Sequence, residues 1–593
     1  MSSSAPPNLG LLSRPTRILI VAWFLATLAA GAYGYLVYEH EAGKEISLLT
    51  ALYHSAQLFI LHAPHFEHHV PPALELARWS ATVFLAGTVL QVARQLFPTE
   101  FATLRFRRFS NHVVIGGLGR RALRCVEGER RKPRGRGRRP VVVIDRAPSE
   151  ELVRKCAAHG AHVITGDVTD PAVLRAAGLR RAAELWALCP EDSVNCETAV
   201  QAERVLGEGT RRRPPLLCNV HLSDVDLRVE LQRYAGLPAG SSPMDLRFFD
   251  LFDREARRVL LHELPLDHDG IGPGESRRPH LVILGFGRMG RSVALRAAKL
   301  GHFANAVSDP ARRLRISVID RGGRGAEAAF RFRYPNLDEV VDLDVHSIDL
   351  ESPEARGLVE NWCGDAATLT SLAVCFDDQS RAVELALRLL PAIPPEGARV
   401  AVRIGQREGV GSLVERVWSA PEARVRVRPF GQLDEGCCEA ALRGSEEELI
   451  AQAIHEDFVA RRIAEGGRDP GDRSLASWAV LDEDLRESNR QQADHIPIKL
   501  RAIGVRVGAA SGRETSFEFA PGELELLARM EHQRWNAERI LAGWTRGPRD
   551  LERKTSPWLC DWAELPESVR EYDRAAVRAI PGLLRSAGFA AVR

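Results

Sequence analysis

Long apolar runs near the beginning of the chain distinguish its first hundred residues from the rest. Ile18 to Tyr38 contains 21 residues without a charge, and Ala73 to Phe97 is nearly as apolar, with Glu75, Arg78 and Arg94 toward its ends. A helix of about 20 apolar residues crosses the roughly 30 Å hydrocarbon core of a bilayer. The pattern predicts two transmembrane helices, 18–38 and 73–97, within an N-terminal membrane region, 1–109. A cleaved signal peptide is the alternative for the first run, but its apolar part is usually only about 7–15 residues long.

A shorter apolar segment, 46–61, lies between the two predicted spans. Sixteen residues are too few to cross a bilayer, so the segment predicts either a re-entrant pore helix or an interfacial helix of a membrane anchor. On the first interpretation Gln57, His62 and Gly87 are candidate pore residues, with Gly87 acting as a bend or as a helix-packing glycine. The following loop lacks the T-V-G-Y-G of potassium filters, so potassium selectivity does not follow.

Histidines and basic residues around the spans bear on metal binding and on orientation. His62, His65, His68 and His69 form a loop that favours solvent exposure over metal binding or pH sensing, and no metal site is predicted. Basic residues precede the first span and follow the second span, whereas the loop between the spans has Lys44 as its only basic residue other than histidine. By the positive-inside rule, both termini lie on the cytoplasmic side of the inner membrane. The flanking basic residues are Arg14, Arg17, Arg105, Arg107 and Arg108.

From about residue 110 the pattern changes to short apolar strands that alternate with amphipathic helices. The clearest unit is the strand His280 to Leu284, the turn G-F-G-R-M-G over 285–290, and a helix from Arg291. In such a turn the glycines let a phosphate approach the backbone, and an acid ending the next strand accepts from a ribose hydroxyl. The candidate nucleotide-binding residues here are therefore Gly285, Gly287, Gly290 and Asp320.

The same unit occurs earlier in the chain. The strand at 112–115 leads into G-G-L-G, and a second strand ends in Asp145. Ala122 stands where the third glycine would be, which is a common replacement. Repetition in the same order predicts an internal duplication. Two doubly wound Rossmann-like α/β domains follow, at 110–265 and 278–445, and the first copy contributes the candidates Gly117, Gly119, Asp145 and Asp167.

Composition and charge narrow the function. The 593 residues carry a net charge of +2, which argues against a nucleic-acid-binding protein, and the ten cysteines show no C-x-x-C or zinc-ligand spacing. The basic run within 127–140 is interpreted as a solvated loop, with contact to anionic lipid headgroups as the alternative. No acid–base constellation follows either glycine turn, so an enzyme is not predicted.

The last part, 446–593, is helical and rich in tryptophan. Indole rings stack on bases and guanidinium groups bind phosphates, although buried tryptophans and solvated arginines are equally compatible with the pattern. The candidate ligand residues of this mainly α-helical domain are Arg534, Trp535, Arg539, Trp544 and Arg546.

Two family resemblances follow from these motifs. The glycine turns with Gly166-Asp167 and Ile319-Asp320 resemble the RCK (TrkA-N) domains of gating rings below ion channels. Glu531-His532, Arg534-Trp535, Gly543-Trp544 and Ser556-Pro557-Trp558 resemble the RyR domain, the repeat named for ryanodine receptors. Together with the two predicted spans, the two resemblances imply the architecture of a prokaryotic ion channel, in which two transmembrane helices are followed by tandem RCK domains and a RyR domain.

That architecture implies an ion channel, expected to conduct cations, that assembles as a homotetramer in the lipid bilayer. Its ligand would be NAD(H) or another adenine nucleotide bound by the RCK ring, the RyR domain or both. The alternatives from the residues are a non-conducting, membrane-anchored nucleotide sensor and an NAD-dependent oxidoreductase.

Overall fold

A computed structural model describes most of the chain, as two compact units, Met1–Arg108 and Phe109–Arg593. Predictions for His65, His68, Phe97, Arg105, Arg107, Arg108 and residues 133–137 of the basic run fall on residues outside that description. The described residues are 14–62, 66, 69–96, 109–132, 138–209, 214–223, 227, 231, 243–394, 397–405, 418, 427–431, 446–464, 466, 472–478, 481–510 and 517–593.

The described residues of the first unit form two long helices and a short one. These are α1 (Arg14–Glu41), α2 (Leu48–Gln57), which continues as a 3₁₀ turn over Leu58–Ile60, and α3 (Pro72–Leu96). By length and composition, α1 and α3 are apolar enough to cross a membrane. Large apolar side chains such as Trp23, Leu76 and Trp79 are exposed on their surfaces, as expected for helices that face lipid.

Glycines allow the three helices of this unit to approach closely. A Cβ atom at Gly31 would lie 2.1 Å from Ser55 Oγ of α2, and one at Gly34 would lie 2.7 Å from the backbone nitrogen of Leu74 at the start of α3. The Ser55 hydroxyl also donates a hydrogen bond of 2.8 Å to the Leu28 carbonyl of α1. The short helix expected at 46–61 is therefore present and packed on α1, while its entry into a bilayer stays a prediction.

The second unit begins with a six-stranded parallel sheet in the order β3-β2-β1-β4-β5-β6. Every pairing in this sheet is parallel, and the order is that of a doubly wound Rossmann fold. The strands and helices of this first half are β1 (Val113–Gly116), α4 (Arg120–Arg131), β2 (Val141–Asp145), α5 (Glu150–Ala158), β3 (His162–Thr165), α6 (Pro171–Ala176), β4 (Glu184–Ala187), α7 (Asp192–Gly207), β5 (Leu216–His221), β6 (Met244–Phe249) and α8 (Leu251–Arg258).

The second half repeats this topology in a sheet ordered β12-β11-β10-β7-β8-β9. Its β7 takes the place of β1, and β12 the place of β6, so the predicted duplication extends to the whole sheet. The elements are β7 (Arg278–Leu284), α9 (Arg288–Leu300), α10 (Ala304–Ser308), β8 (Arg315–Ile319), α11 (Gly323–Arg333), β9 (Asp342–His346), α12 (Pro353–Gly364), β10 (Thr368–Val374), α13 (Gln379–Leu389), β11 (Ala398–Arg403) and β12 (Val427–Phe430).

The C-terminal region, 446–593, is mainly helical, as predicted. Its elements are α14 (Glu446–Ala464), α15 (Glu483–Ala502), β13 (Arg506–Ala509), α16 (Pro521–Leu541), β14 (Thr545–Arg546), β15 (Thr555–Ser556), α17 (Glu567–Ser586) and β16 (Phe589–Val592). Buried residues of α15, α16 and α17 join one hydrophobic core with β7, α9 and β8 of the second half. The region therefore packs as an extension of the second half.

Buried ion pairs reinforce this packing. Arg296 of α9 is 1% exposed, and its guanidinium donates to Asp253 of α8 at 2.6 Å and to Glu487 of α15 at 3.1 Å. Arg257 of α8 pairs with the fully buried Asp494 of α15 at 2.5 Å. Breaking a buried pair leaves an uncompensated charge, which costs about 3–5 kcal/mol. These contacts tie α8, α9 and α15 together.

Candidate functional site

The first glycine turn connects β1 to α4 and requires glycine at its sharpest point. Gly117 has φ +91°, and a Cβ there would lie 3.1 Å from both the backbone nitrogen and Sγ of Cys189. Gly119 is the N-cap of α4, and no described atom lies within 4 Å of a Cβ built on it. The space beside the N-terminus of α4 is therefore open, and helix N-termini are sites that favour phosphate.

Asp145 ends β2 beside this turn. Its carboxylate accepts a hydrogen bond of 2.6 Å from the Leu118 amide and one of 2.9 Å from the Ala147 amide. A carboxylate offers about four acceptor positions, so capacity is left for a ribose hydroxyl. Asp145 thus stabilises the turn through two backbone amides. It also lies at the strand end where the sequence predicted a residue that binds a ribose hydroxyl.

Asp167 lies at the end of the neighbouring strand, β3. It forms an ion pair with Arg146 and accepts from the amide and hydroxyl of Thr169 at 2.9 and 2.8 Å. Burial opposes its ionisation, but the hydrogen bonds from Arg146 and Thr169 outweigh burial and lower the pKa of Asp167. A ligand has to share this carboxylate with Arg146.

The second glycine turn has the same construction. Gly285 has φ +95° and lies against the Phe376 ring, while Asp320 accepts from the Phe286 and Gly322 amides, each at 2.7 Å. Gly287 is the N-cap of α9. A Cβ on it would have no neighbour within 4 Å in the described part of the chain. The two turns therefore present equivalent open N-termini to a ligand.

The third position of the motif differs between the halves. A Cβ on Gly290 would lie 2.0 Å from the Gly285 carbonyl oxygen, so glycine is required there for α9 to approach β7. In the first half Ala122 occupies this position and is fully buried. The first turn therefore accommodates a Cβ atom at the position where the second turn requires glycine.

One repeated pair was missed from the sequence. Arg321 forms an ion pair of 2.5 Å with Asp349, which matches the Arg146–Asp167 pair of the first half. The repeated Asp-Arg at 145–146 and 320–321 was visible, but Asp349 lies three residues beyond β9, outside the aligned motif. The sheet shows the equivalence, because in each half the arginine follows one strand and the aspartate follows the neighbouring strand.

In the C-terminal region, three of the candidate ligand residues lie together. The Arg539 guanidinium is stacked between two indoles, 5.6 Å from the Trp535 ring and 5.0 Å from the Trp544 ring. Such cation–π contacts stabilise by roughly 0.5–2 kcal/mol. The cluster presents half-buried aromatic surface and a cation on one face, in which Arg539 already occupies the space between the rings.

Arg534 and Arg546 were predicted to belong to the same ligand site, but the structure places both of them outside this cluster. Arg534 is buried and donates to Glu531 at 2.9 Å and to Glu538 at 2.6 Å. Burial opposes the ionisation of Glu531, but Arg534 and Lys499 outweigh it and lower the pKa of Glu531 to about 2. Arg534 is therefore a core ion pair and does not reach a ligand surface. Arg546 is exposed and pairs with Glu564 at 2.8 Å.

The candidate pore residues lie in the first unit. Gln57 ends α2 and its side-chain oxygen lies 3.1 Å from His54 Nδ1, while His62 is exposed just after the left-handed residue Leu61. Gly87 is exposed in the middle of α3 and has open space around it. Within the described residues no three His, Cys, Asp or Glu side chains are grouped to hold a metal ion.

Comparison with known families assigns two parts of the chain. Residues 113–212 match the TrkA-N domain, and residues 523–592 match the RyR domain. Both resemblances predicted from the sequence are confirmed over these ranges. No curated protein matches the chain.

Solved structures of GsuK are similar to the chain. A GsuK point mutant is 16% identical with a TM-score of 0.36, and the match covers 73% of this chain and 100% of that one. GsuK bound to ADP is 17% identical with a TM-score of 0.34, covering 71% and 96%. The GsuK channel bound to NAD is 14% identical with a TM-score of 0.34, covering 72% and 84%.

Proposed function

We propose that the chain is the subunit of a ligand-gated ion channel of the cytoplasmic membrane, opened or closed by a nucleotide-type ligand. The observation that carries this proposal is the duplicated glycine turn, open at Gly119 and Gly287, in the same chain as two helices apolar and long enough to cross a membrane. A soluble enzyme needs one such turn and a catalytic domain. A gating module needs a ligand site coupled to membrane helices.

The pore is formed by α1 and α3 with α2 as the re-entrant helix, in a homotetramer that conducts cations. Support comes from the packing of α2 on α1 through Gly31 and Ser55, which buries the middle of the short helix. Its polar end, with Gln57 and His62, would face the ion pathway. Both termini are on the cytoplasmic side.

Gating follows from differential binding. A nucleotide whose phosphate rests on the N-terminus of α4 or α9, and whose ribose contacts Asp145 or Asp320, stabilises the arrangement of the halves that fits it best. A ligand shifts a gate only by the difference in its affinity for the open and closed states. The ligand is bound and released unchanged, so the protein is not an enzyme.

The cluster of Trp535, Arg539 and Trp544 is a second site for a nucleotide-type ligand in this proposal. Arg539 lies between two aromatic rings and can turn outward to meet a phosphate, which frees the indoles to stack on a base. Because the C-terminal region shares its core with β7 and α9 of the second half, binding there is transmitted to the glycine turn that connects these two elements.

Two single-residue variants, each of which introduces a carboxylate into one glycine turn, test the proposal. Gly119→Asp and Gly287→Asp place a negative charge where phosphate approaches, in space that holds no described atom, so folding is retained. We expect at least a 10-fold loss of affinity for ADP or NAD, the ligands of the solved GsuK structures, in the variant whose pocket is used. Gly119→Ala and Gly287→Ala are the matched controls.

Currents through planar bilayers complete the test. Purified full-length protein is expected to show a ligand-dependent current that the effective carboxylate variant loses and its alanine control keeps. Ligand binding without any current over a broad set of ions would favour the non-conducting sensor. Oxidation or reduction of bound NAD, seen at about 340 nm, would favour the oxidoreductase and contradict the proposal.

A further inference from the structure

A cavity of about 390 Å³ lies at the amino ends of β2 and β3 in the first half, beside the segment that leads into β1. Its wall includes Val141, the first residue of β2, and His162, the first residue of β3. Arg130 in the last turn of α4 and Gly160 just after α5 complete this side of the wall. The glycine turn lies at the carboxyl ends of the same strands, so the cavity is separate from the proposed nucleotide site.

Two guanidinium groups converge in this cavity. A Cβ atom on Gly160 would lie 3.7 Å from Arg130 Nη1 and 4.0 Å from Arg138 Nη2, so both groups approach the same point. Neither side chain forms a hydrogen bond or an ion pair with any residue that the structure describes. Arg130 is exposed and Arg138 is half-buried, so a ligand can reach both. Like charges repel, and an anion bound between these two groups would offset their repulsion.

The carboxylate in the cavity wall is already neutralised by other cations. Glu129 is 8% exposed, accepts a hydrogen bond of 2.5 Å from Lys132 Nζ and lies 3.5 Å from Arg139 Nη2. Arg139 in turn pairs with the buried Glu184 at 2.9 Å. The charges of these two cations and two anions cancel. The positive charge of the two converging guanidinium groups therefore remains.

The helices that end at the cavity oppose an anion only in part. α4 ends at Arg131 and α5 at Ala158, and a helix C-terminus carries a partial charge of about −0.5. One carbonyl of the last turn of α5 is already satisfied, because the Gly160 amide donates to Ala157 at 2.9 Å. Two full positive charges outweigh two half charges of the opposite sign. The cavity therefore favours an anion.

The cavity also adjoins the residue at which the second unit begins. Phe109 lines the wall and is the first residue of that unit, and residues 97–108 connect it with α3. Its carbonyl accepts a hydrogen bond of 3.1 Å from Arg181 Nε, and its ring lies 5.3 Å from the His162 ring. A ligand in the cavity therefore touches the point where the chain that comes from α3 is fixed to the first sheet.

We propose that this cavity binds the phosphoryl group of a phosphate monoester through Arg130 and Arg138. Guanidinium groups bind phosphate oxygens through charge-assisted hydrogen bonds, often two from one arginine. The volume of the cavity leaves room for the alcohol part of the ester beside the phosphoryl group. A lipid headgroup and a free phosphate ester present the same chemistry to the two arginines. The site is additional to the nucleotide sites and does not depend on them.

Calorimetry on the full-length protein in a nonionic detergent, with glycerol 3-phosphate as the probe, tests the proposal. We expect Arg130→Gln and Arg138→Gln each to weaken binding about 10-fold, because each removes a charge-assisted hydrogen bond. Arg131→Gln is the matched control, since it removes the same charge from an adjacent, exposed residue outside the cavity wall. Its affinity should stay within about 2-fold of the native value, because distant exposed charges are screened.

A second probe separates the two sources of the phosphoryl group. Dihexanoyl phosphatidic acid carries the headgroup of glycerol 3-phosphate on two short acyl chains. Tighter binding of this lipid than of glycerol 3-phosphate, with the same loss in Arg138→Gln, would identify a lipid headgroup as the ligand. Equal or tighter binding of glycerol 3-phosphate, again with that loss, would identify a free ester.

Other outcomes would overturn the proposal. If the native protein binds neither probe, the cavity is not a phosphoryl site. If Arg130→Gln and Arg138→Gln both keep the native affinity, the probe binds elsewhere, for example at a glycine turn. An equal loss in Arg131→Gln would show a general effect of net charge and no site. If one of the two cavity variants unfolds, the other decides.

Discussion

Glycine and aspartate perform two tasks at each turn of the duplicated halves. The glycine with positive φ provides a conformation that other residues rarely adopt, and the aspartate at the next strand end fixes the turn through a backbone amide. Because Leu118 and Phe286 donate to these carboxylates in the same way, the two halves have kept the same local chemistry. Each turn therefore has its shape fixed by the chain's own hydrogen bonds.

A buried histidine links pH to stability. His302 lies after α9, donates through its ring to the Ala298 carbonyl at 3.0 Å, and accepts from His495 at its own carbonyl. Burial lowers the pKa of His302 to about 4, with the nearby Arg534 acting in the same direction. The unfolded chain therefore takes up a proton first as the pH falls.

We predict that stability decreases as the pH drops from about 6.5 toward 4. For His302 the loss is about 2 kcal/mol at pH 5, because the unfolded histidine has a pKa near 6.5. His302→Gln removes this titration, so the difference between its melting temperatures at pH 7.5 and pH 5 should be smaller than in the native protein. Equal differences in the two proteins would contradict the assignment.

At the scale of elements, close helix contacts hold the first unit together. The approach of α1 to α3 at Gly34 leaves no room for a side chain, since a Cβ would lie 2.7 Å from the Leu74 backbone. In contrast, Gly87 in α3 has open space around it in the chain as described. The two glycines are therefore different in kind, although both lie in apolar helices.

Alanine at these two positions should have opposite effects. We expect Gly34→Ala to destabilise the first unit by about 1–3 kcal/mol, because the backbones must move apart. Gly87→Ala should stabilise α3 by up to about 1 kcal/mol through helix propensity. Thermal unfolding of the full-length protein in detergent, followed by size-exclusion chromatography, measures both. A destabilising Gly87→Ala would indicate a bend or a packing contact with another subunit.

At the scale of the molecule, the C-terminal region and the second half act as one body. Their apolar side chains form a single core, and Arg296 is surrounded by Asp253, Glu487 and Asp494 from α8 and α15. The contacts of Arg296 therefore connect the C-terminal region to the second glycine turn, since α9 carries Arg296 and begins directly after Gly287.

Removal of the central charge should weaken this whole body. Arg296→Met leaves three carboxylates without their shared partner, and we expect a loss of about 3–5 kcal/mol. In limited proteolysis of this variant, the C-terminal region and the second half should both become susceptible to cleavage, and at the same protease concentration. Arg388→Met removes an exposed i,i+4 pair and should cost less than about 1 kcal/mol. Cleavage confined to the C-terminal region would contradict the single body.

Local patterns were sufficient to predict much of this architecture. The length of an apolar run, the spacing of glycines and the acid at the next strand end each depend on neighbouring residues, so the two apolar helices, both turns and the strands beside the turns could be predicted. The sixth strand of each sheet, Met244–Phe249 and Val427–Phe430, was missed, because its pairing partner lies beyond long connections.

The sequence by itself determined the two apolar helices, the duplicated glycine turns and the helical C-terminal region, because periodicity and turn chemistry act over a few residues. The tertiary structure alone decided that Arg534 is a core ion pair, that the C-terminal region shares the core of the second half, and that Arg130 and Arg138 converge beside Gly160. Those facts depend on contacts between residues far apart in the chain, and no local spacing encodes them.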